Sequence, residues 1–299
     1  MIRQINTTAS SDVMRGIETK VILSLYETCV LPCLLNNAES WTLSISEEKK
    51  LDTIGIKLVK RLFGLPTTSP NVSVIFTFGL LYITQVIDKK RFIYLHKILT
   101  HPETQWTHKV FLELIRLDIG WARNILEKLN EYDLETDLEC IKKFTPNEWK
   151  NKVHVAVLKR NGEKLMQNCT TSDENGVKIS TKTKHIHNIL TNCKYSGEPI
   201  KCIIGTDKQR ARSIFLAQNH MLECGANMKG TISEMCRDCQ IRDDESHRMN
   251  HCKKYAREND DGIYAFDDIY NDDVEIVNKI VDEIEKVWET RYANGRMKK

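Results

Sequence analysis

The sequence lacks any long hydrophobic run. Its most apolar stretches, such as 76–83, are far shorter than the roughly 20 apolar residues that a membrane-spanning helix needs. The first residues, MIRQINTTASSD, also lack the apolar core of a secretory signal. We therefore expect an intracellular protein, in the nucleus or the cytoplasm. Its ten cysteines are then expected to be free or metal-bound thiols and not a disulfide framework.

Strand signals are also scarce, whereas apolar residues recur with the 3.6-residue period of a helix along most of the chain. The sequence therefore predicts a mainly α-helical protein. The least periodic stretch, 168–205, is rich in Thr, Asn, Ser and Lys, and we expect a polar linker there between domains at 1–167 and 206–299. The helices are expected at 12–34, from the capping box Ser44-x-x-Glu47 to Gly64, at 82–99, 107–129, 134–143 and 146–167, from a second capping box, Thr206-x-x-Gln209, to Gly225, and at 273–291.

Four potential metal ligands lie close together near the end of the chain, at Cys236, Cys239, His247 and Cys252. Two thiolates separated by two residues can share one ion, and an imidazole with a third thiolate completes the tetrahedron that Zn²⁺ prefers. The residues between them are so polar that a metal is needed to hold one shape. We therefore predict one structural zinc ion per chain. The alternatives are His251 as the imidazole, or buried thiols beside a chance histidine.

The net charge of +3 is unevenly distributed along the chain. Residues 256–299 carry 7 Lys+Arg against 12 Asp+Glu, a net of −5, so the remaining residues carry a net of +8. A basic body with an acidic end is compatible with nucleic-acid contact. The candidate phosphate contacts are Lys57, Lys60, Arg61, Lys89, Lys90 and Arg91, with Arg237 and Arg248 beside the metal-ligand motif. The alternative is that the helical cations only form solvated faces, with aromatic neighbours such as Phe92 and Tyr94 in the core.

Several segments together resemble the C-terminal part of non-LTR (LINE-type) retrotransposon reverse transcriptases. They are VLPCLLNNAESWTLS at 30–44, LVKRLFGLPTTSPN at 58–71, the run at 79–99 that ends in Lys-Ile-Leu, and Ala211–Asn227, followed by the Cys-Cys-His-Cys motif. Glu39 and Trp41 match a Y-G-x-E-x-W-like signature of that family, whereas Asn36-Asn37 stand where Tyr-Gly is commoner. The resemblance extends from about residue 15 to residue 292.

The resemblance implies a helical thumb-like bundle, then a small zinc-knuckle subdomain and a terminal amphipathic helix. The thumb helices would follow the backbone of a template–primer duplex, and the knuckle would contact RNA or target DNA. The family's polymerase palm precedes these segments, and the roughly 30 residues before Asn36 are too few to hold one. We therefore expect a non-catalytic nucleic-acid-binding fragment.

A second hypothesis belongs to a different class of function. Val274, Val277, Val281, Ile284 and Trp288 have a heptad-like spacing, which is typical of helices that pack against a partner helix. The chain would then be a zinc-stabilised protein-interaction module. Its partner would be another protein, or a second copy, bound through 274–291.

Three further patterns invite a functional interpretation that we do not favour. Tyr270-Asn271-Asp272-Asp273 resembles a polymerase Y-x-D-D turn, but Asp272-x-x-Glu275 is better explained as a capping box for the last helix. Cys29 and Cys33 lie one helical turn apart without partner ligands and are expected to be core thiols. His185-x-His187 is expected to lie in a solvated loop.

Overall fold

A computed structural model describes residues 16–173, 176–222, 224, 235–236, 239–252, 266–271 and 273–295. These residues form 13 α-helices and a single two-stranded hairpin, which confirms the prediction of a mainly α-helical protein. In the described part of the chain, each helix is too short or too polar to cross a lipid bilayer.

The first half of the chain is a series of helices joined by short turns. A π-helical turn at Tyr26–Val30 joins the first two, and a 3₁₀ turn at Ala38–Ser40 precedes the third. The helices are α1 (Thr19–Leu25), α2 (Leu31–Leu34), α3 (Ile45–Leu62), α4 (Asn71–Thr77), α5 (Ile83–Thr100), α6 (Trp106–Arg116), α7 (Gly120–Glu131), α8 (Leu138–Lys143) and α9 (Pro146–Cys169).

The second half begins with the stretch that the sequence predicted to be a polar linker. Within 168–205, a hairpin and two helices form, and Ile186 and Ile203 are buried. This stretch is therefore structured and contributes to the core, whereas the division of the chain into domains at its ends stays a prediction. The elements are β1 (Thr170–Asp173), which pairs antiparallel with β2 (Gly176–Ile179), then α10 (Lys184–Asn192), α11 (Lys201–Ile204), α12 (Lys208–Gln218) and α13 (Val274–Gly295).

Side-chain caps define the start of several helices. The Ser44 hydroxyl accepts from the amide of Glu47, whose carboxylate accepts from the Ser44 amide at 2.8 Å, so this capping box is confirmed. The second capping box is wrong by one residue, because Asp207 caps α12 by accepting from the amide of Arg210 at 2.8 Å. The Thr206 hydroxyl instead donates to the carbonyl of Ile203.

The helix expected at 107–129 is divided into α6 and α7. Asp118 and Gly120 both have a positive φ, of 52° and 63°, and such residues end a right-handed helix. Both helices bury one face in the same cluster with Phe92 and Trp149, so the apolar residues keep one helical period across the turn. The period therefore did not predict the break.

The largest hydrophobic cluster combines residues from both halves of the chain. Phe78, just after α4, stacks on Phe63 at 4.1 Å between ring centroids and lies 6.1 Å from Phe215 of α12. The backbone of the 198–200 segment also approaches the turn after α4 closely, since a Cβ at Gly79 would lie 2.2 Å from the carbonyl carbon of Glu198. The two halves of the chain therefore share one core.

One prediction about the first helices is wrong. Both Cys29 and Cys33, which were expected to be core thiols, are exposed. The π-helical turn at Tyr26–Val30 contains Cys29 and directly precedes α2, which carries Cys33. It changes the helical phase at this point, so a regular 3.6-residue period does not predict which residues face inward.

The segment between α2 and α3 is held by side chains from later helices. Lys90 donates to the carbonyl of Leu35 at 2.9 Å, the indole of Trp121 donates to the carbonyl of Glu39 at 2.8 Å, and Arg91 donates to the carbonyl of Trp41. Asn37, at the position where glycine is commoner in the family that this segment resembles, has a φ of 56°. Asparagine is one of the few residues other than glycine that tolerate this left-handed conformation.

Candidate metal centre

The first two candidate ligands lie on a tight turn. The amide of Cys236 donates to the carbonyl of Ile241 at 2.8 Å, and the amide of Gln240 donates back to the carbonyl of Cys236 at 2.9 Å. Gln240 reverses the chain with a φ of 56°, and Met235 and Arg242 form an antiparallel bridge beyond it. This closed loop brings Cys236 and Cys239 to the same side of the turn.

The other two ligands come from one helical turn. A π-helical segment, His247–His251, carries His247 and ends immediately before Cys252. Asp244 begins this turn, because its carboxylate accepts from the amide of His247 at 2.8 Å. Asp244 stands where a retroviral-type knuckle would have its histidine, and here its role is to orient the histidine three residues later.

The four ligand atoms converge. The Cys252 sulfur lies 3.7 Å from that of Cys236 and 4.0 Å from that of Cys239, and all four ligand atoms lie within 4.8 Å of one another. The imidazole of His247 is only 3% exposed, yet within the described residues neither ring nitrogen has a hydrogen-bond partner. A buried polar ring without partners is costly unless something else binds it. The site can therefore hold one metal ion between three sulfurs and one nitrogen.

The surroundings of the cluster fix its position in the fold. Met249, on the ligand-bearing turn, belongs to the main hydrophobic cluster together with Val277 of α13. Arg248 and Asp243 form a buried ion pair with 2.6 Å between Nε and a carboxylate oxygen. The alternative imidazole, the side chain of His251, lies outside the described residues.

Three of the candidate phosphate contacts are buried, contrary to the expectation that they lie on outer faces. Arg248 is occupied by Asp243, as described above. Lys60 is buried at the edge of the core. Its ammonium donates to the carbonyls of Thr67 at 3.1 Å and Ser69 at 2.6 Å, and to the side chain of Asn71 at 2.8 Å. Burial, and then the charge of Lys57, lower the pKa of Lys60.

The third buried cation is Arg91. Its guanidinium pairs with Asp88 at 3.2 Å and donates to the carbonyl of Trp41. The neighbouring Lys89 and Lys90 are half-buried, with Lys89 3.2 Å from a ring nitrogen of His154 and Lys90 on the Leu35 carbonyl. Arg237 lies outside the described residues.

The remaining two candidates, Lys57 and Arg61, are exposed, and the structure adds a third cation to them. Lys50, Ile54, Lys57 and Arg61 recur at helical spacing along α3 and are all exposed. We call these four residues the α3 stripe. The positions i, i+4, i+7 and i+11 lie on one face of a helix. Lys50 was not among the predicted contacts because it lies near the start of α3, apart from the run of cations at the end of this helix.

The remaining patterns have structural roles. Asp273 caps α13 by accepting from the amide of Glu275 at 2.9 Å, whereas Asp272, expected to be the cap, lies outside the described residues. His185 lies in α10 and not in a loop, with its ring 4.9 Å from that of Tyr270. Burial, and then the nearby His220, lower the pKa of His185 to about 4.

Comparison with known proteins adds no relative, since the chain matches no protein-family model, no curated protein and no solved structure.

Proposed function

We propose that the chain is a non-catalytic nucleic-acid-binding fragment of a retroelement reverse transcriptase, with one structural zinc ion in its last third. The observation that carries the binding proposal is the α3 stripe, which presents Lys50, Lys57 and Arg61 on one exposed face. The order of the segments that resemble the LINE-type enzymes supports the same assignment.

Zinc fits the metal site by ligand type and by spacing. Three thiolates and one imidazole form one of the common structural zinc sets, and Zn–S bonds of about 2.3 Å in a tetrahedron place sulfurs roughly 3.8 Å apart. The observed sulfur separations of 3.7 and 4.0 Å agree with that value. A zinc ion with four protein ligands has no open position for water, so its role here would be to hold the turn of Cys236 and Cys239 against the helical turn of His247 and Cys252.

The α3 stripe suits a nucleic-acid backbone. Lys50 and Arg61 are 11 residues apart, which is about 16 Å along a helix at 1.5 Å per residue. Measured along the axis of a B-form duplex, that length corresponds to about five phosphate steps of one strand at roughly 3.4 Å each. The turn that follows α3 lies beside Arg212, whose Nε donates to the carbonyl of Gly64 at 2.9 Å. The cationic surface thus continues from α3 towards α12.

The proposed fragment has no polymerase activity of its own. The only sequence pattern that resembles a catalytic turn is 270–273, and Asp273 is used there as a helix cap. Primer extension with magnesium and all four nucleotides is expected to give no product. Incorporation that is lost on Asp272→Ala would contradict this assignment.

The protein-interaction alternative receives less support. The apolar face of α13 packs into the core of the same chain, with Val277, Ile280, Val281 and Ile284 all buried. Over this part of the helix, the heptad-like residues already pack against the rest of the same chain. A partner that binds through them would have to displace the core.

Fluorescence anisotropy over a range of salt concentrations tests the proposal. The zinc-loaded chain is titrated with a labelled single-stranded RNA and with a labelled duplex. Binding by cations releases counterions, so affinity should fall linearly with the logarithm of the salt concentration. Lys50→Ala/Lys57→Ala/Arg61→Ala should weaken binding to all sequences alike and reduce the slope by about three units.

A matched control uses three exposed lysines on other helices. Lys142→Ala/Lys143→Ala/Lys150→Ala removes the same net charge from α8 and α9. It should lower the affinity less and leave most of the slope in place. If the two triple variants and the wild type give superimposable titrations, the α3 stripe is only a solvated helix face and the proposal is wrong.

A further inference from the structure

A cavity of about 380 Å³ lies between α10, the 193–202 segment and the end of α12. This volume is at the lower end of the range typical of small-molecule sites. Apolar and aromatic side chains form much of its wall, among them Phe76, Ile189, Leu190 and Ile200. We call it the α10 cavity. Its size and lining suit a single small ligand.

Four rings line the α10 cavity in two pairs. The ring centroids of Phe76 and Tyr195 are 6.3 Å apart, and those of His185 and Tyr270 are 4.9 Å apart. Phenylalanine, tyrosine and histidine rings are the side chains on which proteins stack unpaired nucleobases. The wall therefore supplies stacking surfaces for a planar heteroaromatic ligand.

A buried amide in the same wall has an unused acceptor. Gln218 is 6% exposed, and its amide nitrogen donates to the carbonyl of Ile269 at 3.1 Å and to the sulfur of Cys202 at 3.9 Å. Its amide oxygen accepts no hydrogen bond in the described part of the chain and is not sealed off by protein atoms. Since a polar atom at this depth is costly without a partner, the oxygen is available to a ligand that donates an N–H group.

The ring of His185 adds a second neutral polar group. Among the described residues, neither of its ring nitrogens has a hydrogen-bond partner. Burial, and then the nearby His220, lower the pKa of His185 to about 4, so at neutral pH one ring nitrogen donates and the other accepts. With the oxygen of Gln218, the wall can match the mixed donors and acceptors that the edge of a nucleobase presents.

Two lysines lie at the edge of the α10 cavity. Lys194 and Lys201 are exposed, and neither forms an ion pair with any residue that the structure describes. Glu198 also lies at this edge, so two cations and one anion leave it with a net charge of +1. Lysine ammonium groups bind phosphate as point charges. The edge therefore favours a ligand that carries a phosphate beside its planar ring.

We infer that the α10 cavity binds one nucleotide unit, with its base against the rings and its phosphate at Lys194 and Lys201. The unit is a free nucleoside monophosphate or one nucleotide of a bound single strand, since both present the same base and phosphate. This site is separate from the α3 stripe. It adds recognition of a base to the backbone binding proposed above, and each can exist without the other.

Isothermal titration calorimetry of the zinc-loaded full chain tests the inference with AMP, adenosine and inorganic phosphate. AMP should bind with a dissociation constant on the order of 10–100 μM, as expected for a ligand of its size. Adenosine should bind about three- to tenfold more weakly, because it lacks the group that the exposed lysines contact. Inorganic phosphate alone should give no measurable binding.

The lysines are tested by a paired substitution. Lys194→Ala/Lys201→Ala should reduce the affinity for AMP to that for adenosine and leave the affinity for adenosine unchanged. Lys182→Ala/Lys184→Ala is the matched control, since it removes the same charge from two exposed lysines that do not line the cavity. It should change neither affinity by more than about twofold.

The cavity itself is tested by filling it. Ile189 lines the cavity and is 41% exposed, so a larger side chain there does not have to enter the core. Ile189→Trp should weaken the binding of both AMP and adenosine by at least about tenfold, since the base loses its space. Ile179→Trp makes the same change on β2, where the isoleucine is 40% exposed, and should leave both affinities unchanged.

A second variant separates loss of the site from loss of the fold. His185→Asn is smaller than the native residue and removes a stacking surface, so it should weaken both ligands by about tenfold. His187→Asn, on the same helix but outside the cavity lining, should have no effect. Thermal unfolding of each variant checks that it is folded at the temperature of the titration.

The trinucleotide ApApA, which has no terminal phosphate, distinguishes the two sources of the nucleotide. Tighter binding of AMP than of ApApA assigns the site to a free nucleotide, whereas equal or tighter binding of ApApA that Ile189→Trp abolishes assigns it to a strand. The inference is overturned if neither ligand binds at millimolar concentration, or if Ile189→Trp and Ile179→Trp bind AMP equally well. Lys50→Ala/Lys57→Ala/Arg61→Ala should bind AMP like the wild type, so the failure of either proposal is seen separately.

Discussion

Arg91 donates a hydrogen bond from α5 to the backbone carbonyl of Trp41, 50 residues earlier in the chain, and in the same position pairs with Asp88 at 3.2 Å. The second carboxylate oxygen of Asp88 accepts from the hydroxyl of Tyr132 at 2.9 Å. Burial raises the pKa of Asp88, against the opposing effect of Lys128 and Arg91. This buried pair holds the 35–41 segment in place. Arg91 therefore has a structural role.

Arg91→Ala should therefore destabilise the fold and not act as a binding mutation. Removing one partner of a buried ion pair typically costs about 3–5 kcal/mol, because the other charge is left uncompensated. Urea unfolding measures the loss directly. Lys97→Ala is the control, since Lys97 is an exposed cation on the same helix and should change stability by less than about 0.5 kcal/mol. An Arg91→Ala protein with wild-type stability and weaker RNA binding would restore Arg91 as a phosphate contact.

Substitution of Lys60 is expected to change stability, like that of Arg91, whereas substitution of Lys57 is expected to change RNA binding. Lys60→Met removes the donor shared by the Thr67 and Ser69 carbonyls and the Asn71 side chain, and buried acceptors without donors cost about 1–3 kcal/mol. We expect Lys60→Met to lower the free energy of unfolding by about 2–3 kcal/mol. Lys57→Met should leave stability unchanged and reduce the salt dependence of RNA binding by about one unit. Equal stabilities for the two variants would contradict the buried position of Lys60.

Acid should destabilise the fold partly through His185. Its pKa is lowered to about 4 in the folded chain, while an unfolded histidine titrates near 6.5. The unfolded chain therefore binds a proton that the folded chain does not, and stability is lost as the pH falls from about 6.5 towards 4. Between pH 7 and pH 5 the wild type should lose about 1–2 kcal/mol more than His185→Asn.

His187→Asn, on the same helix, is the control for that measurement. It should follow the acid profile of the wild type, and any effect of acid on the metal site is common to all three proteins. Identical profiles for the wild type and His185→Asn would show that His185 is hydrated and titrates normally.

The sequence predicted the fold class, the positions of most helices and the four converging ligands, because these depend on local signals. Each of these signals lies within a short stretch of sequence. They are the helical period, the Ser44 cap and the short Cys–Cys spacing. The metal ligands could be predicted together because two tight turns bring them close with little dependence on the rest of the fold.

The roles of the cations could not be predicted, because they depend on contacts between distant segments. Lys60 and Arg61 are adjacent in sequence, yet one is buried on backbone carbonyls and the other is exposed. Arg91 follows Lys90 in a run that reads as a basic patch, but its partner is the carbonyl of Trp41. The stretch 168–205 was not predicted to be structured because its two helices are short, with 9 and 4 residues, and are separated by polar turns.

Removing the proposed zinc ion is expected to unfold the C-terminal segment selectively. Because a structural zinc site supplies much of the folding energy of the segment that it holds, a strong chelator should release the turns that carry Cys236 and Cys252. The first-half helices should remain. Hydrogen exchange followed by mass spectrometry should show faster exchange at 235–252 and little change in α5. Uniform loss of protection, or none, would contradict a local structural role.

The metal centre itself is tested most directly by zinc X-ray absorption on the purified chain, together with elemental analysis. The expected result is one zinc per chain, with three sulfurs at about 2.3 Å and one nitrogen at about 2.0 Å. Cys239→Ser should lower the zinc content, and Cys29→Ser, at an exposed cysteine far from the motif in sequence, should not. A wild-type protein without zinc, or a Cys239→Ser protein that keeps a full ion with three sulfur ligands, would contradict the assignment of Cys236, Cys239, His247 and Cys252.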